Sequence, residues 1–454
     1  MRTLYTIFLI SLVFFAVSCK KDYLDAKPSS TLVVPTTLDD FQAMLNNNDQ
    51  FNLDQSILGE LSCDDFFYSQ TTFNSLSPLE QNTYIWATDV FNGNVSVGDW
   101  DIPYEDILLT NLVLEGSAKI SPTLAEKASF NNVQGTAYFF RGWSFFELVG
   151  EFSPTYDSST ASTDLGVPLK LGSDVNQRVA RATVSDTYTQ ILSDLKKSVG
   201  LLPTAPWDNN LYLPSRGAAY GILSRVYLSM RDYTDALTAA DSALYYYNAL
   251  INYNDLDSAT RYPIGYPNVE LFFDYNLTNY LGINRQSYVD STIYNSYAAN
   301  DLRKKFFYKP FSGMGHGFRG FYFFGAEMEG GLCSDEMYLT RAECYARAGN
   351  TTNAMADLNT LMKMRVDSNS FVPYTATSSG DALIQILQER RKELVFRGIR
   401  WNDLRRLNKE NQFATTLTRN INGQIYTLPP NDPRYVFPIP QDELLYNPVT
   451  QNQR

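Results

Sequence analysis

Histidine is almost absent from this 454-residue chain, and cysteine is rare: His316 stands alone and there are four cysteines. Each scarcity removes a class of chemistry. One histidine supplies no partner set for a metal, and a Ser-His-Asp arrangement would have to rest on it alone. Its surroundings, GMGHGFRG, read as a flexible loop. No two cysteines are spaced C-x-x-C, which argues against zinc-ribbon and thioredoxin-like sites. Beyond Cys19 only Cys63, Cys333 and Cys344 remain, an odd number that argues against a full disulfide framework. Cys344 falls within a helical pattern and reads as a small core residue. The sequence has no Gly-rich phosphate loop ending in Gly-Lys-Ser/Thr. Basic charge is also short, with 37 Lys and Arg against 49 Asp and Glu. That balance excludes a nucleic-acid partner, or an anionic membrane surface, held by general electrostatic attraction. No catalytic residue, cofactor or metal ligand is expected, and the chain reads as a non-enzyme.

Long apolar runs are missing as well, with one exception at the start. Leu4 to Val17 is a tract of about 14 residues behind the single basic residue Arg2. A bilayer-spanning helix needs ~20 residues, so the tract reads as a secretory signal. It ends in Ala16, Val17 and Ser18, directly before Cys19. Small residues followed by a cysteine resemble a bacterial lipobox. Residues 1–18 are expected to be removed and Cys19 to carry lipid, since two or more acyl chains hold a protein stably at a membrane. Removal takes away only Arg2, so the net charge moves from −12 to −13.

What the chain does have is aromatic side chains: 31 Tyr, 28 Phe and 5 Trp. Tyrosine joins an apolar body to a polar tip, which suits wet concave surfaces and aromatic helix cores alike. It also has an internal repeat. Ser215–Leu244 and Cys333–Met362 share a spacing at an offset of 118 residues. Ser224, Tyr227, Ala236, Ala240 and Ala243 in the first correspond to Ala342, Tyr345, Ala354, Leu358 and Leu361 in the second. A small residue, an aromatic and a second small residue is the pattern of a tetratricopeptide helix pair, in which small side chains let two helices approach. Asp232 and Gly349 fall in the turns. Further helices are expected over Trp100–Gly116, Ala125–Phe152, Thr183–Leu202 (capped by Thr183 or Ser185) and Asp381–Asn408. The expected fold is mainly α: tetratricopeptide-like helix pairs in a right-handed superhelical scaffold over about 100–250 and 332–410. Insertions over about 46–99, 254–331 and 411–454 show little helical period and should carry function.

The motifs, in order, resemble the SusD/RagB family of outer-membrane nutrient-binding lipoproteins. CKKDYLD resembles its mature start, and WDIPYEDILLTN and GTAYFFRGWSFFELVGEF (with Arg141) resemble its first scaffold helices. RGAAYGILSRVYLSMRDYTDAL and DEMYLTRAECYARAG (with Arg341 and Glu343) resemble its helix pairs. ERRKELVFRGIRWNDLRR is the most specific match, through Glu389, Arg390, Glu393, Gly398, Arg400, Asp403, Leu404 and Arg406. Arg397 stands where the family usually has glutamate, which puts a local ion pair in doubt. FPIPQDELLYNPVTQNQ resembles the family's close. The resemblance implies one SusD-like domain over 19–454, lipid-anchored at Cys19 on the outer face of an outer membrane. It implies an oligomeric nutrient, most often a glycan, and a SusC-like TonB-dependent transporter as partner. A tetratricopeptide-type adaptor that binds only protein is the competing reading.

Within that frame the charge run from Glu389 to Arg406 reads as scaffold, its opposite charges pairing at helical spacing. Asp64 and Asp65 are adjacent in sequence. A glycosidase holds its two carboxyls ~5–9 Å apart across a sugar ring, so these two read as turn residues, with Asp65 a candidate ligand contact. The glycan candidates are Asn82, Tyr84 and Trp86 in the first insertion and Tyr280, Arg285, Tyr288 and Tyr294 in the second. Aromatic platforms edged by amide, hydroxyl or charged groups match a sugar's apolar faces and polar rim. Trp86 lies outside the strong helical patterns, where core packing has least claim on it. Trp100, Trp143 and Trp401 read as core.

Overall fold

The structure is a computed structural model that describes residues 35–454, apart from 95, 279–282, 284, 285, 312, 314, 323, 324 and 326. Cys19, Tyr280 and Arg285 lie outside the described residues. Four short helices open the chain: α1 (Leu38–Leu45), α2 (Asn48–Phe51) and α3 (Leu58–Ser62), then, beyond β1 (Phe66–Phe67), α4 (Gln70–Ser75); α5 (Pro78–Tyr84) follows. The scaffold begins with α6 (Gly98–Ser117) and α7 (Lys127–Phe152), continues past the β2–β3 ladder (Leu165–Pro168 and Arg181–Thr183) with α8 (Val184–Leu201), and reaches the first repeat at α9 (Arg216–Met230) and α10 (Tyr233–Tyr246).

The second insertion carries β4 (Leu271–Phe273), β5 (Tyr288–Val289), α11 (Ser291–Ser296), α12 (Leu302–Phe307), β6 (Tyr308–Phe311), β7 (Gly315–Phe318) and β8 (Leu332–Cys333). Next come α13 (Ser334–Arg347), α14 (Thr351–Arg365), α15 (Ser379–Glu393) and α16 (Arg400–Leu407). The β9–β10 hairpin (Leu417–Ile421 and Gln424–Leu428) and α17 (Gln441–Tyr446) close the chain. The strands form two-stranded antiparallel ladders only, so the fold is mainly α.

The scaffold helices pack in succession: α6 on α7, α7 on α8, α8 on α9, α9 on α10, α10 on α13, and α13 on both α14 and α15. The repeat positions explain the close approach. Ser224, Ala236, Ala240 and Ala243 are fully buried in the first pair, as are Ala342, Ala354, Leu358 and Leu361 in the second. The turns match as well. Arg231 (φ +62°) and Gly349 (φ +79°), 118 residues apart, both take the left-handed conformation that ends a helix. The next residue caps the following helix in each copy: Asp232 accepts from Asp235 N–H at 3.2 Å and Asn350 from Asn353 N–H at 3.1 Å. Thr183 caps α8, accepting from Asp186 N–H at 3.0 Å.

Two expectations need correction. The helix expected over Asp381–Asn408 is two helices, broken where Phe396 (φ +58°) and Gly398 (φ +69°) turn the chain. The first insertion is not irregular: α2 to α5 are short helices, and Ser77 and Glu80 form a capping box on α5. Each is too short to show a period of 3.6 in sequence.

Candidate functional site

The two insertions meet edge to edge. β1 pairs antiparallel with β5, setting Phe66 opposite Val289 and Phe67 opposite Tyr288. Alternation along a strand sends Phe66 and Val289 into the core and leaves Phe67 half-buried outside it. Phe67 stacks on Tyr288 with ring centroids 5.3 Å apart, and Tyr288 meets Phe311 of the β6–β7 hairpin at 5.1 Å. Asp290 caps α11 by accepting from Thr292 and Ile293 N–H. That helix presents Tyr294 to His316, and the two rings stack at 3.6 Å, 15° from parallel. Lys304 Nζ lies 4.7 Å from the Tyr294 centroid. Beneath, Tyr297 and Tyr308 share a hydroxyl contact of 2.8 Å, and Tyr297 donates to Lys392 O at 2.7 Å, which ties the layer to α15. His316 is therefore a strand residue in a hairpin, not part of a loose loop. Partial burial and the neighbouring Lys304 charge lower its pKa, so its ring is neutral at pH 7. Four half-buried rings (Phe67, Tyr294, Phe311 and His316) offer apolar faces, and the Tyr294 hydroxyl and the His316 nitrogens add hydrogen-bonding groups.

The first sequence patch lies under this face rather than on it. Trp86 is 1% exposed, sits at φ +54°, and donates Nε1–H to Ser62 O at 3.0 Å. Tyr84 is buried and its hydroxyl accepts from Tyr68 N–H at 3.2 Å. The Arg419 guanidinium, delivered by β9, spreads over the rings of Tyr84 (4.0 Å) and Trp86 (5.2 Å). It also donates to the carbonyls of Phe66 and Cys63. Asn82 is half-buried and donates to Val90 O at 3.3 Å, closing the turn that follows α5. The expectation that Trp86 stands clear of the core is thus corrected. Trp86 lies two residues beyond α5, in a turn with positive φ, and its ring packs in the core beneath the Arg419 guanidinium. Asp65 is buried, which pushes its carboxyl up to about 6. Among the described residues, Asp65 and the glycan candidates Asn82, Tyr84 and Trp86 lie outside the ring face, whereas Tyr294 and the buried Tyr288 lie in it. Phe67, Phe311 and His316 join them, and the one signal for Phe67 in the sequence is the Phe66–Phe67 pair beside Asp64 and Asp65.

The charged C-terminal helices are scaffold, as expected. Arg390 Nε binds Asp403 at 2.8 Å, and Arg406 binds both Asp403 (2.8 Å) and Glu343 (2.6 Å). Arg141 makes a two-pronged pair with Asp194, both contacts 2.8 Å. Arg397, which replaces the family's usual acid, is buried, donates to Glu329 O at 2.9 Å and to Cys333 Sγ at 3.0 Å, and lies 3.6 Å from Asp335. Between α3, α7, α9 and this segment lies a cavity of about 60 Å³ open to water centres, edged by Glu60, Glu147, Glu151, Arg225, Arg397 and Asn402. Burial there pushes Glu147 up to about 7 and raises Glu151, which faces Asp99.

A SusD-like sequence profile described as "starch-binding associating with outer membrane" matches residues 22–228, and the SusD family profile matches residues 335–453. The chain belongs to the SusD family. Three solved structures are similar to it in fold. A SusD superfamily protein from Bacteroides thetaiotaomicron VPI-5482 is 23% identical, with 92% of this chain and 100% of that one covered at a TM-score of 0.74. A SusD-like carbohydrate-binding protein from Bacteroides vulgatus ATCC 8482 is 21% identical, with 91% and 97% covered at 0.72. A laminarin-binding SusD-like protein is 17% identical, with 91% and 98% covered at 0.64. No protein of curated function matches the sequence. No helix among the described residues is long and apolar enough to cross a membrane.

Proposed function

We propose that the protein is a surface lipoprotein, anchored at Cys19, that binds an oligomeric glycan and passes it to a SusC-like TonB-dependent transporter. The binding face is the ring layer of Phe67, Tyr288, Phe311, Tyr294 and His316, with Tyr280 and Arg285 contributed by the same insertion. The observation that carries the reading is the β1–β5 ladder, which gathers rings from two distant insertions onto one half-exposed face. Membership of the SusD family and a laminarin-binding structural relative support a glycan as ligand. The protein holds the glycan without cleaving it.

Titration of the purified protein against a panel of oligosaccharides, laminarin fragments first, tests the binding. The expected outcome is saturable uptake of one glycan class with the sugar recovered intact. No uptake across the panel, or shortened products, contradicts the reading. Cys19→Ala is expected to abolish lipid labelling and surface display. A variant that remains lipid-labelled and exposed contradicts the anchor.

A further inference from the structure

We propose that Glu60, Cys63 and Asp65 form a site for one divalent cation that accepts a thiolate ligand, with zinc the best match. The three belong to one short stretch, E-x-x-C-x-D. Glu60 is on α3 and Cys63 is its C-terminal cap, three residues on and so on the same side. The chain then runs extended from Cys63 (φ −76°, ψ 175°) to Asp65. Each residue offers one ligand atom, and all three atoms lie within 4.8 Å of one another. The Cys63 thiol donates to Glu60 Oε1 at 3.6 Å, and a metal would take the place of that proton between the two atoms. A tetrahedral zinc with bonds of ~2.1 Å to oxygen and ~2.3 Å to sulfur spans an edge of about 3.6 Å.

A second observation points to a ligand. Asp65 is 1% exposed, yet neither of its carboxylate oxygens has a hydrogen bond of good geometry: its donors are the Phe396 N–H, poorly aligned, and Arg391 Nε at 3.8 Å. A buried carboxyl so weakly satisfied is costly, and a bound ion accounts for it. The surroundings fit a dication. Gly398 N–H donates to Glu60 Oε2 at 3.1 Å, which fixes the carboxylate and leaves Oε1 for the metal. Three anionic ligands around a 2+ ion leave one negative charge. Arg391 and Arg400, held on the adjacent Asp64 at 2.8 and 2.7 Å, stand beside the site to balance it. Glu60 also borders the internal cavity, from which a water can take the fourth position. A thiolate in the set selects zinc over calcium and magnesium. Binding releases the Cys63 thiol proton to solvent. Neither a histidine pair nor a C-x-x-C spacing marks this site in the sequence, which is why no metal was expected from the histidine and cysteine counts.

Cobalt(II) titration of the chelator-treated full chain tests the proposal, because a cobalt–thiolate bond adds a sulfur-to-metal charge-transfer band in the near ultraviolet. The expected result is one equivalent of cobalt with that band, displaced by zinc. The band should be lost in Cys63→Ser, with Cys19, Cys333 and Cys344 intact, and affinity should fall at least tenfold in Asp65→Asn. Asp65→Asn keeps the shape of the side chain, so its affinity decides the matter if Cys63→Ser does not fold. A folded wild type that takes up no metal, a band that survives Cys63→Ser, or an unchanged affinity in Asp65→Asn overturns the site.

Discussion

Two regions of this protein bury charge in opposite ways. Around α13 to α16 the fully buried guanidiniums of Arg303, Arg365, Arg390 and Arg406 meet carboxylates. Arg303 binds Asp301, Glu389 and Glu393, and Arg365 binds Glu270 and Glu393. On α6 and α7 the buried carboxyls of Asp99, Asp106 and Glu151 and the half-buried Glu147 form no ion pair among the described residues. Three of them accept from neutral donors: Asp99 from Leu58 N–H at 2.8 Å, Glu151 from Gly59 N–H at 3.0 Å and Asp106 from Gln50 at 2.9 Å. Burial raises all four pKa values. The first region neutralises its charges with partners, and in the second burial shifts the carboxyls toward the protonated form. The pH responses are therefore opposed. Asp403 is lowered from 3.8 to about 2 by Arg390 and Arg406 despite its burial, so its contribution is present above its ordinary value and lost as pH falls through about 2. Glu147 is raised from 4.5 to about 7, so the stability tied to its proton is full below pH 4.5 and lost as pH rises through about 7.

Removing one guanidinium from the paired region has the largest expected effect. Arg303→Met takes the cation from buried Asp301 and one partner each from Glu389 and Glu393, which keep Lys392 and Arg365, at a cost of ~3–5 kcal/mol, read as a lower midpoint in urea. Trp86→Ala removes a ring from beneath Arg419 and the hydrogen bond to Ser62, and is expected to cost about as much, ~3–5 kcal/mol. Circular dichroism during heating checks it, and an unchanged melting temperature contradicts the core placement. Ala342→Leu pushes α14 away from α13 one residue before Glu343 and disturbs the ion network indirectly, at ~1–3 kcal/mol. The smallest change is also the sharpest probe of the unpaired region. Glu147→Gln keeps the shape and removes the ionisation. It should be close to wild type in unfolding free energy at pH 5 and exceed it by on the order of 1 kcal/mol more at pH 8. A gain of equal size at both pH values contradicts the retained proton.

The scaffold was legible because its physics is local. The 118-residue offset set small residues where helices touch, and even the left-handed turn positions keep the register. The Glu389–Arg406 run was legible as ion pairs, though Arg397 turned out to pair with Asp335 and Cys333 rather than to lose a partner. The site was less legible because it is not local. Tyr288 and Tyr294 could be singled out by composition, whereas Phe67 becomes a site residue only through a ladder between residues more than 200 positions apart. Trp86 misled because it lies in the turn just beyond α5, where no periodicity marks burial, yet its ring is 1% exposed. His316 gained its place from a stacking partner 22 residues away in sequence, Tyr294, which no spacing rule indicates.

The central claim, that rings from two insertions form one glycan face, is tested most directly by isothermal titration of Tyr294→Ala with the glycan selected by the panel. Tyr294 is half-buried at the outer edge of the layer, so its removal should leave the melting temperature within a few degrees of wild type. Stacking on one ring is the kind of contact that dominates a small interface, and the account predicts an affinity at least tenfold weaker, a loss of about 1.4 kcal/mol or more. A Tyr294→Ala protein that stays folded and binds the glycan as tightly as wild type contradicts the claim.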